Sequence, residues 1–187
     1  MARLFTAVEL SEPVRDAVAR RQAIIAASLR AAGDRDLRVV GLGQLHLTLV
    51  FIGEVAEERV PMLTSALAEP VPVPPFELEI GSPGVFPTHG PPRVLWLAVT
   101  RGAAELARVH EVVSTRLDTI GIPREPRPYQ PHLTIGRWRD RAPTRLRHAL
   151  VPGGPVPIER IDAVTLFRSR LGSGAPEHTA LARAPLL

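Results

Sequence analysis

Apolar positions alternate along some segments of the chain and recur every three to four residues in others, and the two periods predict an interleaved series of strands and helices. Residues 3–10 read as a strand whose apolar run is broken by Glu9. A helix follows over Ser11 to Ala32, with Ser11 at the N-cap, Pro13 in the first turn and Val14, Val18, Ile25 and Leu29 as its buried stripe. Gly33 and Asp34 close it, a short strand spans 37–40, and Leu45 to Gly53 alternates as a second strong strand. Next come a helix over 56–68, a proline-rich connection from Pro70 to Pro75, a strand over 76–82, a Gly/Pro-rich loop over 81–92 and a strand over 93–100 with both faces apolar. The remainder predicts a helix over 103–119, a stop at Gly121-Ile122-Pro123, a strand over 131–138, a short basic helix over 141–150, and strands over 157–168 and 178–184.

The pattern contains a repeat. His46-Leu47-Thr48-Leu49 and His132-Leu133-Thr134-Ile135 share the sequence H-L-T-aliphatic, each on a predicted strand that precedes a helix. Two copies fit a duplicated, two-lobed domain and fall short of a solenoid, which needs at least three short repeats. No segment offers a natural cut, so residues 1–187 are read as one domain with two pseudo-symmetric lobes.

Composition narrows the chemistry. With 45% hydrophobic residues the chain has enough apolar material for a core, and no apolar run approaches the roughly 20 residues of a membrane helix. The first ten residues carry no small-residue cleavage site, so a soluble cytoplasmic protein without membrane contact is expected. Cysteine is absent, which removes disulfides, thiolate nucleophiles and thiolate-bound metals together. Chemistry must therefore come from His, carboxylates, hydroxyls or Arg. All 23 basic residues are arginine and the net charge is +4, a balance that favours an anionic partner, because the guanidinium fork matches phosphate. A local cluster falls at Arg137, Arg139, Arg141, Arg145 and Arg147.

Strand alternation puts His46 and Thr48 on one face and Leu47 and Leu49 on the other, and does the same for His132 and Thr134 against Leu133 and Ile135. Each motif thus offers one imidazole and one hydroxyl. This set suits the opening of a cyclic phosphate: one neutral imidazole takes a proton from water while one imidazolium gives a proton to the leaving oxygen, and hydroxyls bind the non-bridging oxygens. No cofactor is required. No metal site is expected either, because neither motif contains an acidic companion at ligand spacing. Either motif alone would be weak evidence, since threonine is common in strands and a lone histidine is usually structural. His89, His110, His148 and His178 are read in that structural way, and Gly41-Leu42-Gly43 as a turn.

These residues resemble the two-histidine phosphoesterases and, within them, the RNA 2′,3′-cyclic phosphodiesterase family once described as bacterial 2′-5′ RNA ligases. The likeness runs nearly end to end: Arg3-Leu4-Phe5-x-Ala7, Leu45-His46-Leu47-Thr48-Leu49-x-Phe51-Ile52-Gly53-Glu54-Val55, Arg93-Val94-Leu95-Trp96-Leu97, Arg127-Pro128-Tyr129-x-Pro131-His132-Leu133-Thr134-Ile135-Gly136-Arg137 and Leu166-Phe167-Arg168-Ser169. It implies an α+β fold of two lobes, with antiparallel sheets flanking a central cleft and helices outside. It also implies hydrolysis of RNA 2′,3′-cyclic phosphate ends, tRNA fragments among them, to a 2′-phosphate by a monomer. By the same likeness His46 is the general acid and His132 the base, Thr48 and Thr134 hold the phosphate, and Arg137 is the cationic residue after the second motif. Strict alternation turns Arg137 away from His132, so that role requires a bulge, which Gly136 can supply. Phe5, Tyr129 and Trp138 are the candidates to stack a terminal base, with Phe5 also suited to the core. The chain departs from the family pattern at His178, where an aromatic residue is usual, and at Arg38-Val39-Val40-Gly41, where a tryptophan is common. Three alternatives stay open: 2′-5′ ligation or phosphodiester cleavage, hydrolysis of a small cyclic phosphate of a nucleotide or ADP-ribose, and a non-catalytic RNA-end binding module.

Overall fold

The computed structural model describes every residue except 141, 171 and 173–175. Among the described residues, nine strands form two antiparallel sheets. The first sheet contains β1 (Ala2–Glu9), β3 (His46–Val55), β8 (Ala163–Arg170) and β9 (Glu177–Pro185) in the order β3-β1-β8-β9. The second contains β2 (Leu37–Val39), β4 (Phe76–Phe86), β5 (Val94–Arg101), β6 (His132–Trp138) and β7 (Glu159–Ile161) in the order β2-β6-β5-β4-β7. The two lobes are therefore not successive halves of the chain. β2 crosses early into the second sheet, and β8 and β9 return to the first.

The helices lock the sheets together. On α1 (Glu12–Ala31) the expected stripe of Val14, Val18, Ile25 and Leu29 is buried, but Arg21 and Gln22 are buried beside it. Arg21 donates to the carbonyls of Pro152 and Ile80, and Gln22 to those of Val40 and Ile135, so a helix that leaves the first sheet is fastened to the second. Ser11 holds the N-cap position in extended conformation, but its hydroxyl makes no capping bond; its backbone N–H donates instead to Glu159 at 2.7 Å. α2 (Val60–Ala68) follows one 3₁₀ turn, and α3 (Ala103–Thr119), which leaves the second sheet, packs against β3 of the first.

Three sequence expectations change. β4 runs on through Pro83 to Phe86, where a loop over 81–92 was expected, because the register shift between Ile80 and Pro83 against β5 absorbs the Gly81-Ser82-Pro83 segment as a bulge. The single strand expected over 157–168 is two: β7 pairs with β4 and β8 with β1, so the chain changes sheets at Asp162 within one apolar run. The helix expected over 141–150 is a 3₁₀ segment, Thr144–Ala149, anchored by one buried side chain, Leu146; residue 141 lies outside the described residues. One apolar anchor gives no amphipathic face to hold a longer α-helix.

Candidate active site

His46 and His132 open β3 and β6, two strands that lie side by side where the sheets meet. Each motif shows the alternation its sequence requires: the histidine and threonine are partly exposed, while Leu47, Leu49, Leu133 and Ile135 are buried. Beyond the motifs the alternation breaks in the same place twice. Thr48 pairs with Ala7 and Val50 with Thr6, leaving Leu49 as an extra residue. Thr134 pairs with Trp96 and Gly136 with Leu95, leaving Ile135 extra. Both are β-bulges at the fourth motif position, and each reverses the facing of the residues beyond it.

The consequence is visible five residues after each histidine. Arg137 comes round to the face of His132 and Thr134, and its charge lowers the proton affinity of both His132 and His46. It is thus within electrostatic reach of both imidazoles. Phe51, at the matching position in the first lobe, lies opposite Phe5 and is 66% exposed. The released backbone groups are satisfied locally. Val50 N–H donates to the buried Thr6 hydroxyl at 3.2 Å, and the Ile135 carbonyl accepts from Val40 N–H at 3.0 Å and from Gln22 at 2.6 Å. The second bulge is closely packed at Gly136, where a Cβ would lie 2.9 Å from the tip of the Leu37 side chain and 3.4 Å from the Arg38 carbonyl.

Each imidazole rests on aromatic neighbours. His46 stacks on Phe5 with centroids 4.9 Å apart and meets His178 edge-to-face at 5.3 Å. His132 meets the Phe86 ring edge-to-face at 5.0 Å, and Phe86 lies 4.9 Å from Trp96. The Trp96 ring covers Gly84, where any side chain would collide with it. Nδ1 of His132 is 2.7 Å from the Gln130 carbonyl, which fixes that nitrogen as donor and leaves Nε2 for chemistry. The backbone of Gln44 favours the protonated form of His46 in the same manner, so the repeat extends one step earlier, to Gln-x-His-Leu-Thr.

Burial dominates the proton affinities. His46 is pushed down to about 4 by desolvation, then by the charge of His178, with Gln44 opposing and Arg137 adding a further lowering. His132 is also lowered, first by desolvation and then by Arg137, against the Gln130 carbonyl. Both rings are neutral at pH 7 in the free protein.

The aromatic candidates divide. Phe5 is 4% exposed and gives its face to His46 and Phe167, so it supports the imidazole and is not open to a base. Trp138 is a core residue, 5% exposed, whose Nε1 donates to Asp34 at 3.0 Å. Tyr129 lies on His110 with centroids 4.3 Å apart and donates to the Thr48 carbonyl at 3.3 Å, which braces the approach to β6 against β3. Sequence reasoning missed Phe51, Phe86 and Trp96, and marked His178 only as a departure from the family pattern; the shared five-residue offset from each histidine was the available signal for Phe51. The arginine cluster also divides: Arg147 is spent on the carbonyls of Pro87 and Gly90, and Arg141 lies outside the described residues.

Two antiparallel sheets with paired H-x-T strands at their junction define a two-histidine phosphoesterase architecture, and comparison with known proteins agrees. The chain belongs to the 2′-5′ RNA ligase superfamily, whose family model matches residues 13–172. Among curated relatives, the RNA 2′,3′-cyclic phosphodiesterase of Thermus thermophilus is 34% identical over 194 residues, covering 98% of this chain and 90% of its own. That of Methanothermobacter thermautotrophicus is 32% identical over 182 residues, covering 95% of each. Among solved structures, Escherichia coli LigT complexed with 3′-AMP superposes with a TM-score of 0.73 at 27% identity, covering 99% of this chain and 98% of that one. No helix among the described residues is long and apolar enough to cross a membrane.

Proposed function

We propose that this protein hydrolyses the 2′,3′-cyclic phosphate at the end of an RNA to a 2′-phosphate, by metal-independent acid–base catalysis between His46 and His132. The reading is carried by one observation above all: two H-L-T motifs, each with its histidine and threonine on the more exposed face, stand on neighbouring strands, β3 and β6. The names of the relatives point the same way.

In the proposed reaction Nε2 of His132 takes a proton from water as the water oxygen attacks phosphorus. The P–O3′ bond breaks, and the imidazolium of His46 gives its proton to the departing 3′ oxygen. The Thr48 and Thr134 hydroxyls and Arg137 bind the non-bridging oxygens. The phosphate brings the charge that the free site lacks: an anion beside His46 offsets both desolvation and the repulsion from Arg137, so the acid gains its proton as substrate binds. Exposed Phe51 supplies the face on which the terminal base stacks, and Phe5 acts through His46. With a 5′-hydroxyl in place of water as the nucleophile, the same groups would break the P–O3′ bond and leave a 2′-5′ linkage. The whole chain acts as one domain, as a monomer in the cytoplasm, with tRNA fragments among its substrates.

The test is incubation of an oligoribonucleotide bearing a 2′,3′-cyclic phosphate in excess EDTA, with identification of the product isomer. A 2′-phosphate product formed at an undiminished rate is expected. Turnover that zinc or magnesium must restore would overturn the metal-independent reading, and binding without turnover would leave only an RNA-end binding module.

A further inference from the structure

We infer that Arg38 holds a second phosphate, the one attached to the 5′ oxygen of the terminal nucleoside, with Arg137 bridging between it and the reacting phosphate, so that the site selects RNA ends over mononucleoside cyclic phosphates. This rests on the proposed cyclic phosphodiesterase function and adds the part of the substrate that lies beyond the reacting group.

Arg38 and Arg137 are direct cross-strand partners in the β2–β6 pair. Paired positions in an antiparallel ladder present their side chains on the same face, about 4.5–5.5 Å apart at Cβ. Since the bulge at Ile135 turns Arg137 to the face of His132 and Thr134, Arg38 shares that face. Both residues are exposed, and neither guanidinium has a hydrogen-bond or ion-pair partner among the described residues. This is unlike the arginines at 101, 124, 168 and 183, which pair with carboxylates. Like charges placed directly opposite destabilise a strand pair. An anion between the two removes that cost, and two guanidinium forks are the usual means of gripping a phosphate.

Position in the sheet says which phosphate. β2 is the edge strand, about 4.8 Å outward from β6, and Arg38 is level with Arg137, five residues along from His132, so it stands outside Arg137 as seen from the reacting phosphate. A cyclic phosphate occupies the 3′ end of its chain. The next phosphate along the RNA is therefore necessarily the 5′ one, and a mononucleoside 2′,3′-cyclic phosphate lacks it.

Three probes test this: adenosine 2′,3′-cyclic phosphate, the same compound carrying a 5′-phosphate, and a short oligoribonucleotide with a cyclic end. For the native protein kcat/KM should rise about tenfold from the first probe to the second, the size of one charge-assisted contact. Its decline with salt should also be steeper for the second, by a slope of about 0.7 for one further phosphate neutralised. In Arg38→Gln the preference for the 5′-phosphorylated probe over the first should fall at least fivefold. Equal kcat/KM and equal salt slopes for the first two probes in the native protein would overturn the inference, as would an Arg38→Gln variant that keeps the native preference. Failure of the broader reading looks different: the native protein would hydrolyse none of the three.

Discussion

The side-chain amide of Gln22, buried on α1, donates to the carbonyl of Ile135 at 2.6 Å, and Ile135 is the extra residue of the bulge that turns Arg137 into the site. A helix from one part of the chain thus sets the aim of a cation two residues beyond its contact. Replacing Gln22 by Leu leaves the carbonyls of Ile135 and Val40 without that donor, which costs about 1–3 kcal/mol of stability. Gln22→Leu should also lower kcat/KM on a cyclic phosphate, and the Gln22→Leu/Arg137→Ala double variant should be little worse than Arg137→Ala alone. Additive losses, measured at saturating and limiting substrate, would show that Gln22 does not act through Arg137.

The roles of the two histidines make a second prediction. Either His46→Ala or His132→Ala should nearly abolish hydrolysis, whereas Thr48→Val or Thr134→Val should slow it by roughly a hundred- to a thousand-fold, the usual effect of losing one oxyanion donor. An aryl phosphodiester, whose leaving group needs no proton, should rescue His46→Ala but not His132→Ala. Rescue of His132→Ala alone would exchange the acid and the base.

A third prediction concerns pH. With His46, the proposed acid, held down to about 4 in the free protein and His132, the proposed base, also lowered, the proposed active form carries its proton on the ring that burial holds at about 4. kcat/KM should follow a bell whose acidic limb lies near pH 4 and belongs to His46. Removing the charge of His178 relieves the second cause of that lowering. His178→Phe should therefore move the acidic limb upward and raise the plateau, and an NMR titration of the His46 ring should shift with it. An unchanged His46 titration would dismiss His178 as a tuning residue.

Stability should respond to the same shifts. Above pH 6.5 His46 is neutral in both folded and unfolded chains; as pH falls, the unfolded chain takes up a proton that the folded protein refuses until about pH 4. The folded state is therefore favoured by high pH, and this contribution is lost between 6.5 and 4, at about 1.4 kcal/mol per pH unit. Denaturant midpoints of the native protein should fall more steeply than those of His46→Phe over this window, by about 3 kcal/mol in total. Parallel slopes for the two proteins would contradict the buried-neutral state of His46.

Much of this was legible in the letters. The two H-L-T motifs sit on alternating strands, and their leucines had to face the core. Arg137 posed a contradiction between period and role that only a bulge resolves, and Gly136 marked where it falls. The matching bulge at Leu49 carries no glycine and was invisible, because its stabilising partner is Thr6, remote in sequence. The sheet change at Asp162 was equally hidden, since β7 and β8 are both apolar and periodicity does not report which sheet a strand joins. His178 was read as structural and marked only as a departure from the family's usual aromatic residue; it reaches His46 through a tertiary contact, with the Gln44 amide donating to the Pro176 carbonyl at 2.8 Å just before β9.

The interleaving of the lobes governs how the molecule can be made. β1 pairs on one side with β3, nearby in sequence, and on the other with β8, almost the whole chain away, Phe5 standing opposite Phe167. Contacts of such long range slow folding, because a large loop must close before they form. During synthesis the second sheet can assemble while β1 still lacks one neighbour, and the Phe5 ring that backs His46 stays uncovered until Phe167 arrives. A nascent or truncated chain ending before residue 163 would already contain both histidines, yet its acid would stand on an unfinished wall. The aromatic wall behind His46 is therefore completed only when β8 pairs with β1.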